Sequence, residues 1–145
     1  MRSLQESENG LSFDIATIRS GIATNLATIS GLRTESYLPD NPNPPVAIVG
    51  LDSIEYNTAM QQGLTTLNFV VTVVVGRAAE REQQRKLDAY LQPFGSQSVK
   101  LAIESNRSLD GAIQDLRVER SGGMGSITIN DQTYLAADFT VTVYA

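Results

Sequence analysis

The stretch from Leu64 to Gly76, Leu-Thr-Thr-Leu-Asn-Phe-Val-Val-Thr-Val-Val-Val-Gly, decides the fold of this chain. Alternate positions on one side are all apolar: Leu67, Phe69, Val71, Val73 and Val75. The other side mixes two valines with Thr66, Asn68 and Thr72. Because successive side chains of a strand point to opposite faces of its sheet, this pattern predicts a long central strand with one fully apolar face.

A second copy of the pattern closes the chain. Phe-x-Val-Thr-Val begins at Phe69 and again at Phe139. The two strands can therefore present similar faces to one hydrophobic layer. We expect them to be antiparallel partners or near neighbours in the sheet.

The rest of the chain is predicted to form helices that pack on this sheet, further strands and the loops that connect them. Helices are predicted from an N-cap at Ser12 to about Ser30, from Arg77 to about Gln92, and from an N-cap at Ser98 to about Glu104. Further strands are predicted at 32–38, 46–56, 113–120, 126–129 and 133–144. The fold class is α+β, with a single mixed or mostly antiparallel sheet of about five to six strands and the helices packed on one face.

Glycine and polar clusters predict the connections. Gly50 predicts a bulge or bend within its strand. The run Gly122-Gly-Met-Gly is interpreted as a hairpin tip and not a phosphate-binding loop, because no Lys-Ser/Thr follows it and no helix begins there. A tight turn is expected at Asn130-Asp131. Residues 1–11 are expected to form a flexible N-terminal arm, and residues 12–145 a single domain.

Composition excludes several kinds of chemistry. The chain has 145 residues without histidine, cysteine or tryptophan, which excludes disulfides, thiol nucleophiles and histidine bases. We therefore expect no catalytic, cofactor-binding or metal site. A net charge of −5 argues against nucleic-acid binding as the main role. No signal peptide or membrane-length apolar run is seen, which favours a soluble intracellular product.

A basic ridge is the clearest charged feature. Arg77, Arg81 and Arg85 recur every four residues within the second predicted helix. Such a ridge is either a solvated helix face or a docking surface for an acidic partner.

Several ordered segments resemble the tail terminator (tail-to-head joining) proteins of long-tailed actinobacteriophages, similar to the phage lambda-type terminator family. The similar segments are Ile18–Thr34, the proline-rich connector with Pro45–Tyr56, Phe69–Arg77, Gln84–Leu91 and Thr133–Val141. The resemblance covers about residues 12–144, and it implies nothing about residues 1–11.

The resemblance implies a structural protein of the phage neck. Subunits of that family assemble into a hexameric ring that caps the tail tube, ends its polymerisation and joins the tail to the head. The implied partners are other copies of the chain, the tail tube protein and a head-completion or connector protein. DNA would pass through the lumen without sequence-specific contact, no membrane would be involved, and the protein would be made in the host cytoplasm and end in the virion.

Ring closure requires two different patches on each subunit. The candidates are Arg77, Arg81 and Arg85 on one patch and Asp52, Glu55 or Asp138 on the other. Two alternatives remain open: a head-completion or connector protein on the portal side of the neck, and a small α+β binding module outside any virion.

Overall fold

The stretch around Phe69 forms the middle strand of a five-stranded sheet. The computed structural model describes residues 13–35, 37, 43–56, 65–78 and 81–145. Its strands are β1 (Arg33–Glu35), β2 (Val46–Glu55), β3 (Thr66–Arg77), β4 (Asp115–Ile129) and β5 (Gln132–Tyr144). They lie in the order β1-β2-β3-β5-β4, with β1 parallel to β2 and all other neighbours antiparallel. The predicted α+β fold with a single mixed sheet is confirmed.

The two Phe-x-Val-Thr-Val strands are antiparallel partners, as expected. Phe69 lies opposite Val141, and Val71 lies opposite Phe139. All four side chains are buried on the same face of the sheet. The repeated motif therefore produces a pseudo-symmetric apolar centre, in which each aromatic ring lies beside a valine of the other strand.

Three helices cover that face: α1 (Ile15–Leu26), α2 (Arg81–Leu91) and α3 (Val99–Ile103). The side chains that they and the loops after them bury against the sheet are Ile18, Ile22, Leu26, Ile29, Leu87, Tyr90, Val99 and Ile103. The predicted N-cap Ser98 is confirmed, because its hydroxyl accepts the Leu101 N–H at 3.2 Å. For α1, the N-cap is Asp14 and not Ser12. The Asp14 carboxylate accepts the Ala16 N–H at 3.1 Å, and Ser12 lies outside the described residues.

The glycine run is not a hairpin tip. β4 continues through Gly122–Gly125 while remaining paired with β5, and its register with β5 shifts between those two glycines. Gly123 has φ +62°, and a Cβ there would lie 3.0 Å from a carboxylate oxygen of Asp138 on β5. The glycines therefore form a bulge inside a long strand. The turn follows at Asn130 and Asp131, whose φ values are 50° and 65°, as expected for a tight hairpin.

Two other boundaries differ from the predictions. The irregularity in β2 falls between Leu51 and Ser53 and not at Gly50. The bulge turns apolar Ile54 towards the face that packs on the helices and Ser53 towards the opposite face. The change from apolar to polar residues therefore explains why the bulge falls here. Arg77 belongs to β3 and not to a helix, because it pairs with Tyr134 of β5. The predicted N-terminal arm, residues 1–11, lies outside the described residues.

Candidate subunit interface

Arg77 lies where β3 ends and the chain turns towards α2. It is exposed, while Gly76 before it is buried. A side chain at position 76 would overlap the amide of Gln83 on the first turn of α2. The Gln83 side chain thus lies directly over the end of β3, and this packing brings residues of α2 beside Arg77.

A groove of about 330 Å³ opens at this junction. It is lined by Pro44, Pro45, Val75, Gly76, Arg77, Gln83, Lys86 and Tyr134. Arg77 and Lys86 give it two positive charges, and among its described lining residues none carries a carboxylate. The surroundings of the groove therefore favour an acidic group.

A second hollow of about 290 Å³ adjoins the groove, since Pro45 and Lys86 line both. Its other lining residues are Ser30, Gly31, Ala89, Tyr90 and Gln97. The lining of this hollow is mainly apolar, whereas that of the groove is mainly polar. Burial raises the pKa of the Tyr90 phenol, so this ring stays neutral.

The predicted basic ridge is divided by the fold. Arg81 and Arg85 are exposed, one turn apart on α2, on the side away from the buried Leu87 and Tyr90. Arg85 lies 3.6 Å from Glu82, and the two side chains are 73% and 70% exposed. Solvent screens such a pair strongly. Arg77 lies on β3 and lines the groove together with Lys86, whereas Arg81 and Arg85 are not among the described residues that line it.

Two of the predicted acidic residues lie at the opposite end of the sheet. Glu55 is the last residue of β2, and it accepts a hydrogen bond from Asn68 at 3.3 Å. Asp52 is exposed at the bulge of the same strand. Next to Glu55, Tyr56 is 71% exposed. β2 spans ten residues from Val46, beside the groove, to Glu55, which corresponds to roughly 30 Å.

Asp138, the third predicted acid, is separate from both groups. It lies half-buried on the uncovered face of the sheet, meaning the face against which none of the three described helices packs, and it accepts a hydrogen bond from the Thr72 hydroxyl at 2.8 Å. Its neighbours are the glycine bulge of β4 and the middle of β3. The structure thus brings Asp52 and Glu55 to one end of β2 and leaves Asp138 away from them.

Sequence reasoning did not assign Lys86, Tyr134, Pro44, Pro45 or Tyr56 to a site. Tyr134 reaches the groove only through the register of β5 with β3. Lys86 reaches it through the packing of α2, nine residues after Arg77. The one local signal was the pair of prolines beside a strand that begins at Val46, since prolines stiffen the chain there.

A separate charged network borders the edge strand β4. Glu104, just after α3, accepts the Val118 N–H at 2.9 Å and pairs with Lys100 at 2.7 Å. Burial alone would raise the pKa of Glu104, but the hydrogen bonds from Lys100 and Val118 and the charges of Lys100 and Arg107 outweigh it and lower that pKa. Nearby, the hydrogen bond from Arg107, 2.8 Å away, lowers the pKa of Asp115. These contacts satisfy part of the main chain along an edge strand.

Within the described ranges, no three acidic residues cluster in a way that could hold a metal ion. No helix there has the length and apolar character needed to cross a bilayer. A scan of protein-family models and a search of curated proteins gave no match to this chain. Among the described residues, the positive groove and the acidic pair Asp52 and Glu55 lie at opposite ends of the sheet.

Proposed function

We propose that this protein is a structural subunit of the neck of a long-tailed phage, acting as its tail terminator. Copies of the chain form a closed ring, expected to be a hexamer, on the last ring of tail tube protein. The ring ends tube polymerisation and presents a surface to the head-completion protein. The role is structural, without catalysis or a cofactor, and the site of action is the top of the tail in the virion.

The observation that carries this proposal is the separation of two unlike charged surfaces. The groove with Arg77 and Lys86 lies at one end of the sheet, and Asp52 and Glu55 lie at the other. A ring needs contacts between two different patches, whereas a single self-complementary patch gives a twofold dimer. A subunit with its positive and negative surfaces at opposite ends meets that requirement.

The resemblance of residues 12–144 to tail terminators supplies the identity of the ring. The α+β subunit expected for that family agrees with the fold described above. The net charge of −5 is compatible with DNA moving through a lumen, because an acidic protein offers little general attraction for phosphate.

The test is electron microscopy of phage particles made with a nonsense mutation in this gene. We expect overlong, unattached tails beside filled heads, because tube growth lacks its stop. Tails of normal length beside unjoined heads would replace the proposal with a head-side connector. Normal virions would overturn any role in the neck and favour a binding module outside the virion.

A further inference from the structure

We propose that the groove and the adjoining hollow receive the acidic end of β2 from a second copy of this chain. This inference rests on the proposed ring and names the surfaces that join its subunits. Asp52 and Glu55 of one copy face Arg77 and Lys86 of the next. Tyr56 of the first copy enters the apolar hollow beside Pro45.

The charges of the two surfaces are complementary. Arg77 and Lys86 are exposed and form no ion pair within the described part of the chain. Asp52 is exposed, and the Glu55 carboxylate has only an exposed hydrogen bond at 3.3 Å from Asn68. Both surfaces therefore retain charge that a partner can neutralise. Such complementarity sets orientation and association rate more than affinity.

Each surface also has a polar part directly beside an apolar part. Glu55 and Tyr56 are consecutive, so a carboxylate and an exposed ring project from the same end of β2. On the receiving side, a mainly polar groove adjoins a mainly apolar hollow across Pro45 and Lys86. An aromatic ring placed against proline and Tyr90 would supply apolar burial, which isolated surface ion pairs lack.

The geometry favours repetition. Because donor and receiving surfaces are roughly 30 Å apart along β2, one copy cannot satisfy its own groove. Each copy can instead donate to one neighbour and receive from another. This is the heterologous arrangement that closes into a ring when the rotation between copies permits it.

The absence of cysteine from the chain allows a direct test. The double variant Ser53→Cys with Asn43→Cys places one thiol beside Asp52 on the donor surface and one beside Pro44 on the receiving surface, and it leaves all four proposed contact charges in place. Both positions lie at the protein surface, so folding should be retained. A short bis-maleimide cross-linker cannot join them within one copy. We expect a ladder of cross-linked species that ends at the size of the closed ring.

The matched control is Ser53→Cys with Arg85→Cys, because Arg85 is exposed on α2 and is not among the described residues that line the groove or the hollow. We expect no ladder beyond a background of dimers. No ladder from the Ser53/Asn43 pair, or equal ladders from both pairs, would overturn the inference.

Charge reversal gives a second readout. Arg77→Glu and Glu55→Arg should each weaken self-association roughly tenfold, and mixing the two variants should restore it. In the mixed assembly every contact is complementary again if copies alternate. Failure of the mixture to recover would contradict the pairing.

The two proposals fail in different ways. If the purified wild-type chain forms a ring but the Ser53/Asn43 pair gives no ladder, these surfaces are not the joint and the neck function stands. If nonsense-mutant phages assemble normal virions, the neck function fails whatever the cross-linking shows. Inorganic phosphate that binds the groove without any self-association would also overturn the inference.

Discussion

Phe69 and Thr72 lie three residues apart on β3 and face opposite sides of the sheet. Phe69 is fully buried beneath the helices, together with Val71, Phe139 and Val141. Thr72 faces the uncovered side, where it donates a hydrogen bond to Asp138. One face is thus stabilised by apolar burial and the other partly by polar pairing. A single strand can contribute to both faces because its successive side chains point to opposite sides of the sheet.

The uncovered face itself changes along its length. Near the groove it carries a buried apolar cluster of Val46, Ile48, Val74 and Ala136, with Ile127 and Tyr134 packed against it. Towards the other end, the Asn68 amide donates hydrogen bonds to the Ser53 hydroxyl and to the Glu55 carboxylate. The apolar cluster supports the receiving surface, while the polar end carries the acidic one. The contrast between the two faces, and between the two ends, can be tested by substitution.

The largest effect is expected from Phe69→Ala. Removing this fully buried ring from the covered face should lower the free energy of unfolding by about 3–5 kcal/mol, through lost burial and the cavity left behind. Val70→Ala on the uncovered face of the same strand should cost about 1 kcal/mol or less. Denaturant unfolding measures both. Similar losses for the two variants would break the contrast between the faces.

Asn25 is a polar exception on the covered side. It is 5% exposed, and its amide donates to the carbonyl oxygens of Ile103 at 2.9 Å and Asn106 at 3.1 Å, tying α1 to the end of α3. Asn25→Ala should lower the free energy of unfolding by about 2 kcal/mol, because one buried and one partly buried carbonyl oxygen lose their donor. The neighbouring Thr24→Ala, at an exposed position, should change it by less than about 0.5 kcal/mol. A neutral Asn25→Ala in thermal unfolding would show that packing alone holds α1.

Substitution of Glu104 tests the charged network that borders the edge strand β4. Glu104→Gln should destabilise the protein by about 1 kcal/mol at neutral pH, because it removes a charge that pairs with Lys100. The folded-state pKa of Glu104 is lowered from the ordinary 4.5, so its stabilisation is complete above that value and is lost as the pH falls through the lowered pKa.

The difference between wild type and Glu104→Gln should therefore shrink in acid, as followed by unfolding at several pH values. Glu82→Gln is the matched control, since Glu82 is 70% exposed and lies 3.6 Å from Arg85. This control should change stability little at any pH. A Glu104→Gln effect that stays constant below pH 4.5 would contradict the electrostatic cause.

The smallest effect is expected on the uncovered face. Thr72→Val removes the hydroxyl that lies 2.8 Å from Asp138 and should cost about 0.5–1 kcal/mol, because water can replace the donor at this half-buried carboxylate. Thr140→Val on β5 keeps that hydrogen bond and should be nearly neutral. If Thr72→Val cost as much as Phe69→Ala, polar pairing would rival apolar burial in this sheet.

Local chemistry explains why many elements could be predicted. The apolar alternation of β3, the cap at Ser98 and the Asn130-Asp131 turn each depend on residues close together in the chain. The glycine run failed as a hairpin tip because Gly122 and Gly125 pair with Asp138 and Ala136 of β5, residues that no local pattern connects to them. Arg77 was wrongly assigned to a helix because its pairing with Tyr134 spans a large sequence separation.

The sequence by itself determined the two central strands, the apolar helix stripe and the absence of cysteine and histidine chemistry, since these follow from periodicity and composition. Tertiary structure alone decided which charges share a surface. It placed Arg77 in a groove with Lys86 and the two prolines, which Arg81 and Arg85 do not line, and it set Asp52 and Glu55 at the far end of β2. The reason is physical: a side chain's face follows from local geometry, but its neighbours depend on register and on how closely α2 approaches the end of β3.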